Sequence, residues 1–295
     1  MGLKLSRKIK ATRINILAKV KNYNLRLYKF LILFGAIFKF FYKLNANKKI
    51  KFYSNNLDEI NNFEFKKTSQ NNEDGIINYI ISILKIENIN FVEIGFDYYE
   101  NNCLNLLKKS NKGLFIDGSS EKVFLLGWLL KIFFPLKKTK VLNEIINKDN
   151  VNAIISKYFI NENEIDFMSI DVDGIDYYIF ENLKYRPKIL CIEYNFWYGS
   201  EEKCSVPYSE NFTWKIGSTY SGSSLNALCS LANLKNYHLI ALDTAGVNAF
   251  FIREDLKENF QILNPQKSFK IPYKYSDEDV EIAKKELLGR DLTFF

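Results

Sequence analysis

Four short apolar runs in this sequence each end in acids, amides or glycine. FVEIG ends in Glu93 and Gly95, with Asp97 just beyond, and GLFIDG ends in Asp117 and Gly118. IDFMSIDV leads into Asp171 and Asp173, and PKILCIEY into Glu193 and Asn195. Oxygen groups gathered in this way can accept hydrogen bonds from the vicinal hydroxyls of a bound polyol, remove a proton, or hold a hard cation. Asp171 or Asp173 becomes a general base if burial raises its pKa. Asp173, Glu193 and Asn195 form a second, oxygen-only set suited to magnesium or another divalent cation. His238 is the single histidine, which excludes mechanisms needing a histidine pair and most zinc sites. Cys103, Cys191, Cys204 and Cys229 have no paired spacing and read as reduced thiols.

The elements that must present these groups follow from periodicity. Ile76, Ile77, Ile80, Ile81 and Leu84 predict a helix over 74–86. Strands are expected at 91–95, 113–118, 140–146, 165–172 and 187–194, and helices near 101–109, 120–132, 151–159 and 176–183. A helix over 224–234 and strands 237–242 and 249–253 close the pattern, the last two as a hairpin. Alternating strands and helices imply a mostly parallel sheet covered on both faces, with its site outside the carboxyl ends of the strands. Gly174 and Asp176 read as the turn into a helix, and Glu73 and Asp74 as helix-start acids. The stretch 196–223 reads as an insertion, and Trp197, Tyr198, Tyr208 and Trp214 make it a candidate lid or acceptor platform. Val247-Asn248-Ala249 reads as a turn that leaves Asn248 close to the sheet end.

Charge divides the chain. Residues 1–57 hold fourteen Lys and Arg and no acid, leaving 27 basic against 34 acidic residues elsewhere. Nucleic acid and anionic lipid both suit such an arm, and the apolar stretch 27–44 (LYKFLILFGAIFKFFYKL) favours lipid. Its uninterrupted run, Phe30–Phe38, is roughly half the length that spans a bilayer. An interfacial helix and a helix packed on the body are the two readings, within an N-terminal extension of residues 1–60 preceding a 61–295 domain.

The segments SQNNEDGIINYI, FVEIG, ENNCLNLL, GLFIDGS, IDFMSIDVDGIDYYIFENL, PKILCIEYN and AGVNAFFIREDL, in this order over roughly residues 69–256, resemble the FkbM-type methyltransferases. The resemblance implies a Rossmann-like class I methyltransferase fold, S-adenosylmethionine (SAM) as cofactor, and O-methylation of a saccharide or glycan-precursor hydroxyl. By the same resemblance Glu93 and Gly95 begin the cofactor loop, Asp117 binds the ribose hydroxyls, and Glu73 and Asp74 face the site; Asp97 and Gly118, at the strand ends, join the cofactor-binding set by position. The family loop has the form E-x-G-x-G-x-G, whereas EIGFDYYENN keeps only Gly95, so Tyr98 or Tyr99 is a candidate to stack on the ligand. An inactive glycan- or nucleotide-binding module of the same fold is the alternative. The absence of G-x-G-x-x-G argues against a dinucleotide oxidoreductase. Nucleic acid is not an expected partner, and the expected location is the cytoplasm, peripheral to the inner membrane face.

Overall fold

The strands are apolar on both sides because helices cover both sides of the sheet. In the computed structural model, which describes residues 19–45, 59–215, 217–272 and 275–295, β1 (Ile89–Ile94) sends Phe91 to one face and Val92 and Ile94 to the other. The strands β2 (Ser110–Asp117), β3 (Lys138–Asn143), β4 (Phe167–Ile170) and β5 (Ile189–Glu193) are parallel to it. Two more, β7 (Tyr237–Leu242) and β8 (Asn248–Arg253), form the expected hairpin, and β8 runs antiparallel to β5. A two-residue strand, β6 (Cys204–Ser205), lies outside this sheet.

The order is β3-β2-β1-β4-β5-β8-β7, the arrangement of a Rossmann-like class I methyltransferase sheet. The chain winds outward from β1 through β2 and β3, then returns to the other side of β1 with β4. That reversal opens a crevice between the carboxyl ends of β1 and β4.

On the Phe91 face lie α1 (Leu25–Asn45), α2 (Glu73–Ile83) and α3 (Ser120–Phe133), through Phe40, Ile76, Ile80 and Leu126. On the opposite face lie α4 (Val151–Ser156), α5 (Asp176–Asn182) and α6 (Leu225–Leu234), through Ile155, Ile179 and Leu228. The predicted elements recur with shifted ends: β1, β2 and β3 begin two or three residues early, whereas the strand at 187–194 and the helix at 151–159 are shorter than expected. The expected helix near 101–109 is a 3-10 helix, Leu104–Lys109. Strand 165–172 stops at Ile170 because the Val172 N–H donates to Asp176 at 2.8 Å, where the chain turns toward α5.

The N-terminal segment is not detached: Ala36 and Phe40 of α1 are buried in the shared core, and the Phe40 ring meets Phe133 at 5.1 Å. Residues 1–18 and 46–58 of the basic arm lie outside the described residues. The C-terminal segment, where the sequence suggested no element, forms α7 (Pro265–Ser268), α8 (Asp277–Leu288) and β9 (Thr293–Phe294). A Ser276–Asp279 capping box starts α8. β9 pairs with β6, so the chain's last residues close the base of the 196–223 insertion.

Gly75 shows how tightly α2 is seated. A Cβ there would lie 2.0 Å from the Phe63 carbonyl oxygen and 2.4 Å from the Phe65 nitrogen. Gly75→Ala must push backbone apart, and we expect it to lower unfolding stability by about 1–3 kcal/mol in urea titration; an unchanged midpoint would contradict this packing.

Candidate functional site

Glu93 is buried in β1, and its two oxygens accept from the backbone N–H groups of Asn102 (2.8 Å) and Cys103 (2.7 Å). It therefore closes the loop after β1 without a run of glycines. Burial pushes its pKa up to about 7, against the pull of those N–H donors. Gly95 has φ +77°, and a Cβ on it would lie 1.6 Å from the Asp171 carbonyl oxygen. This retained glycine sits where the ends of β1 and β4 nearly touch.

Beyond it the loop divides. Phe96 and Asp97 line the crevice, while Tyr99 turns away to lie 4.1 Å beneath the Lys39 ammonium of α1. Tyr98 packs against Tyr99 and the core, so neither tyrosine lines the crevice as a stacking platform.

Three compartments join at Asp171 and Asp173, with cavity volumes of about 220, 250 and 260 Å³. Each alone falls short of the roughly 300–1,000 Å³ of small-molecule pockets, so the joined cleft is the relevant space. The first is strongly acidic, with Glu73, Glu93, Asp97 and Glu100 opposed by Lys122. The second is an apolar slot between Ile116, Ile145, Ile146, Val172 and Phe212, edged by Asp117 and Gly118. The third is aromatic, with Phe196, Trp197 and Trp214 over Glu193.

Asp117 accepts from the N–H groups of Phe96 (3.1 Å) and Ser119 (2.6 Å), and the Lys122 ammonium lies 3.3 Å away. Glu73 lines the acidic compartment and accepts from the Asn248 amide at 2.9 Å. Asp74 does not reach the cleft. Its oxygens accept from the N–H groups of Lys67, Thr68 and Ser69 and from the Thr68 and Ser69 hydroxyls, which makes it the anchor of the loop before α2.

Asp171, Asp173 and Glu193 each offer an oxygen within 4.8 Å of the others. Asp171 and Glu193 share a hydrogen bond between their carboxyls, so the pair retains a proton. Burial is the main cause, and the charges of Asp176 and Asp173 add to it. Asp173 is exposed to the cleft and held at φ +59°, an uncommon conformation for a residue with a side chain. Asp176 accepts from the Val172 and Gly174 N–H groups and holds this turn, as expected.

The oxygen set expected at Asp173, Glu193 and Asn195 is thus assembled with Asp171 in place of Asn195. Asn195 borders the aromatic compartment, but its amide donates to the Thr219 and Ser221 carbonyls and accepts from the Trp197 N–H. Both ends of that side chain are used to fasten the insertion.

Of the insertion aromatics, Trp197 and Trp214 line the cleft, whereas Tyr198 is fully buried and Tyr208 packs on Tyr178. His238 pairs with Glu254 and lines none of the three compartments. Gln70 and Lys122 are site residues that the sequence reading passed over. Gln70 stands within SQNNED; Lys122 looks like any lysine on a solvated helix turn.

No family model and no curated protein matches the chain. Among solved structures it is similar to a SAM-dependent methyltransferase from Clostridium acetobutylicum ATCC 824, at 9% identity and TM-score 0.41, covering 61% of this chain and 90% of that one. It is also similar to magnesium protoporphyrin IX methyltransferase from Synechocystis PCC 6803, at 8% identity and TM-score 0.42, covering 73% and 93%. A third is the N-terminal domain of EvdMO1 with S-adenosylhomocysteine bound, at 8% identity and TM-score 0.43, covering 63% and 80%. At such identities the likeness concerns the fold alone.

The protonated acid pair has a consequence for stability. Its native pKa is raised, so the native state binds more protons than the unfolded one and stability falls as pH rises. The advantage is fully present below the ordinary carboxylate pKa of about 4 and is lost as pH climbs through the raised value. Asp171→Asn keeps a hydrogen bond to Glu193 and removes one of the two coupled carboxyls. We expect its Tm to exceed the parent's at pH 8 and to approach it at pH 5, with about 2–4 °C for each kcal/mol recovered. A variant less stable than the parent at pH 8 would refute the shared proton.

Proposed function

We propose that the protein is a SAM-dependent O-methyltransferase acting on a saccharide or glycan-precursor hydroxyl. The observation that carries the reading is the meeting of three chemically different compartments at Asp171 and Asp173, at the switch point of the sheet. The apolar slot beside Asp117 suits a nucleobase and ribose. Asp117 Oδ1 accepts only the Ser119 N–H among the described bonds and keeps a lone pair for a ribose hydroxyl. The acidic compartment suits the positive sulfonium and amino groups, since its carboxylates outnumber Lys122. The aromatic compartment suits the face of a sugar ring.

When bound, the cofactor supplies a methyl group activated on sulfur. The chain's own task is alignment, exclusion of water and removal of the hydroxyl proton. Asp173 is assigned that proton, with Asp171 behind it; partial desolvation within the cleft raises the pKa of Asp173, and burial that of Asp171. Glu193 holds Asp171 in place through their shared hydrogen bond. Trp197 and Trp214 are assigned to orient the acceptor.

A second reading is favoured by the spacing of Asp171, Asp173 and Glu193, which would together hold a magnesium ion that acidifies the hydroxyl. The two readings separate under chelation. Turnover that survives EDTA supports the carboxylate base; loss restored by magnesium moves the three acids to metal ligation.

Calorimetric titration with SAM and S-adenosylhomocysteine tests the assignment directly. Micromolar binding of both is expected. No binding by folded protein, with or without magnesium, would leave a non-catalytic module of the same fold. Asp173→Asn should lower kcat by about 10²–10⁴-fold while leaving cofactor binding near the parent value; unchanged turnover removes Asp173 from the chemistry.

A further inference from the structure

α1 is apolar on two opposite sides. One side, centred on Ala36 and Phe40, is buried against the body. At 100° per residue, the side turned away from it carries Phe30, Leu31, Phe34, Phe38, Phe41 and Tyr42. All six are exposed, Phe30, Phe34 and Phe38 to 65%, 60% and 71%. A surface helix ordinarily turns charged residues to solvent, and a contiguous exposed apolar stripe marks an interaction face. On α3, against which α1 packs, Trp128 and Ile132 are exposed as well.

The helix is pinned in place. Lys43 pairs with Glu100, the Tyr28 hydroxyl donates to Glu121 at 2.7 Å, and the Lys29 ammonium lies 5.5 Å from the Phe124 ring centroid. The stripe is therefore a fixed feature of the surface. None of the described helices is long and apolar enough to cross a membrane.

We infer that this face docks the protein onto an anionic bilayer, with the aromatic stripe in the acyl boundary and the flanking lysines at the headgroups. Charge selects the occupant. No acid occurs before Asp58, while Arg26, Lys29 and Lys39 are exposed on α1 and seven further Lys and Arg precede residue 22. A second copy meeting face to face would bring the same excess of positive charge against itself, whereas an anionic surface complements it. Lysine stems reach outward from such a helix while its rings stay in the apolar layer.

Docking has a geometric consequence for the cleft. Lys39 over Tyr99 and Lys43 with Glu100 join α1 to the loop that lines the acidic compartment. The helix that carries the stripe therefore borders the cleft rim.

Co-sedimentation of the full chain with vesicles tests the inference, using phosphatidylcholine alone and equal parts of phosphatidylcholine and phosphatidylglycerol. The expected result is binding to the mixed vesicles that weakens with salt, and at least a tenfold weaker partition for Phe34→Ser/Phe38→Ser. Both positions are exposed, so the double variant should keep the parent's circular dichroism and Tm. Absence of binding by the parent, or equal binding by the folded variant, overturns the inference. A concentration-dependent dimer in sedimentation velocity, lost in the variant and without vesicle binding, assigns the face to a second copy and overturns it too.

Discussion

Glu93 sits in β1 with both carboxylate oxygens turned onto backbone N–H groups nine and ten residues later in the chain. Burying a carboxylate is costly, while charge-assisted hydrogen bonds return roughly 1.5–3 kcal/mol each. Burial outweighs those bonds, and its pKa rises to about 7 as a result. This contact sets the path of residues 96–103. Phe96 and Asp97 stay in the crevice, and Tyr99 and Glu100 are delivered to α1. The mouth of the cleft and the seating of the N-terminal helix thus depend on one side chain.

The cleft that results has too many acids for its cations. Like charges crowded at the ends of adjacent strands cannot all ionise, and the Asp171–Glu193 pair answers by keeping a proton. A cationic ligand would relieve the same repulsion, which makes the acid excess a recognition feature as well as a source of instability. Asp173 stands apart from the pair: it is exposed to the cleft, and its backbone is turned by the Asp176 contacts on either side of it.

The surrounding parts divide positioning between them. Asp74 ties down the loop before α2, and Asn195 fastens the insertion that brings Trp197 and Trp214 over the acids. The chain's end completes that platform. Phe295 stacks on Tyr177 at 4.1 Å, and β9 pairs with β6. The third compartment is therefore lined by residues from Gln70 to Val247, and the insertion over it is held by the chain's last residues.

Much of this was legible in the residues alone. Apolar runs of strand length, alternating with helical spacing and ending in acids, determine a parallel sheet and the edge on which its polar groups gather. Periodicity and burial are local properties, so strands 91–95, 113–118 and 187–194 were readable to within a few residues. The roles of individual acids were not. Glu73 and Asp74 are neighbours in sequence, yet one faces the cleft and the other a loop, because a helix turns by 100° per residue. Asn195 looked like a ligand because it follows a strand, and only the carbonyls of Thr219 and Ser221 show where its amide is used. The pairing of β6 with β9 and the burial of one side of α1 against the body are likewise long-range facts. Sequence determined which groups reach the sheet edge; tertiary structure decided which remain available there, because hydrogen bonds between distant segments consume some donors and acceptors and leave others.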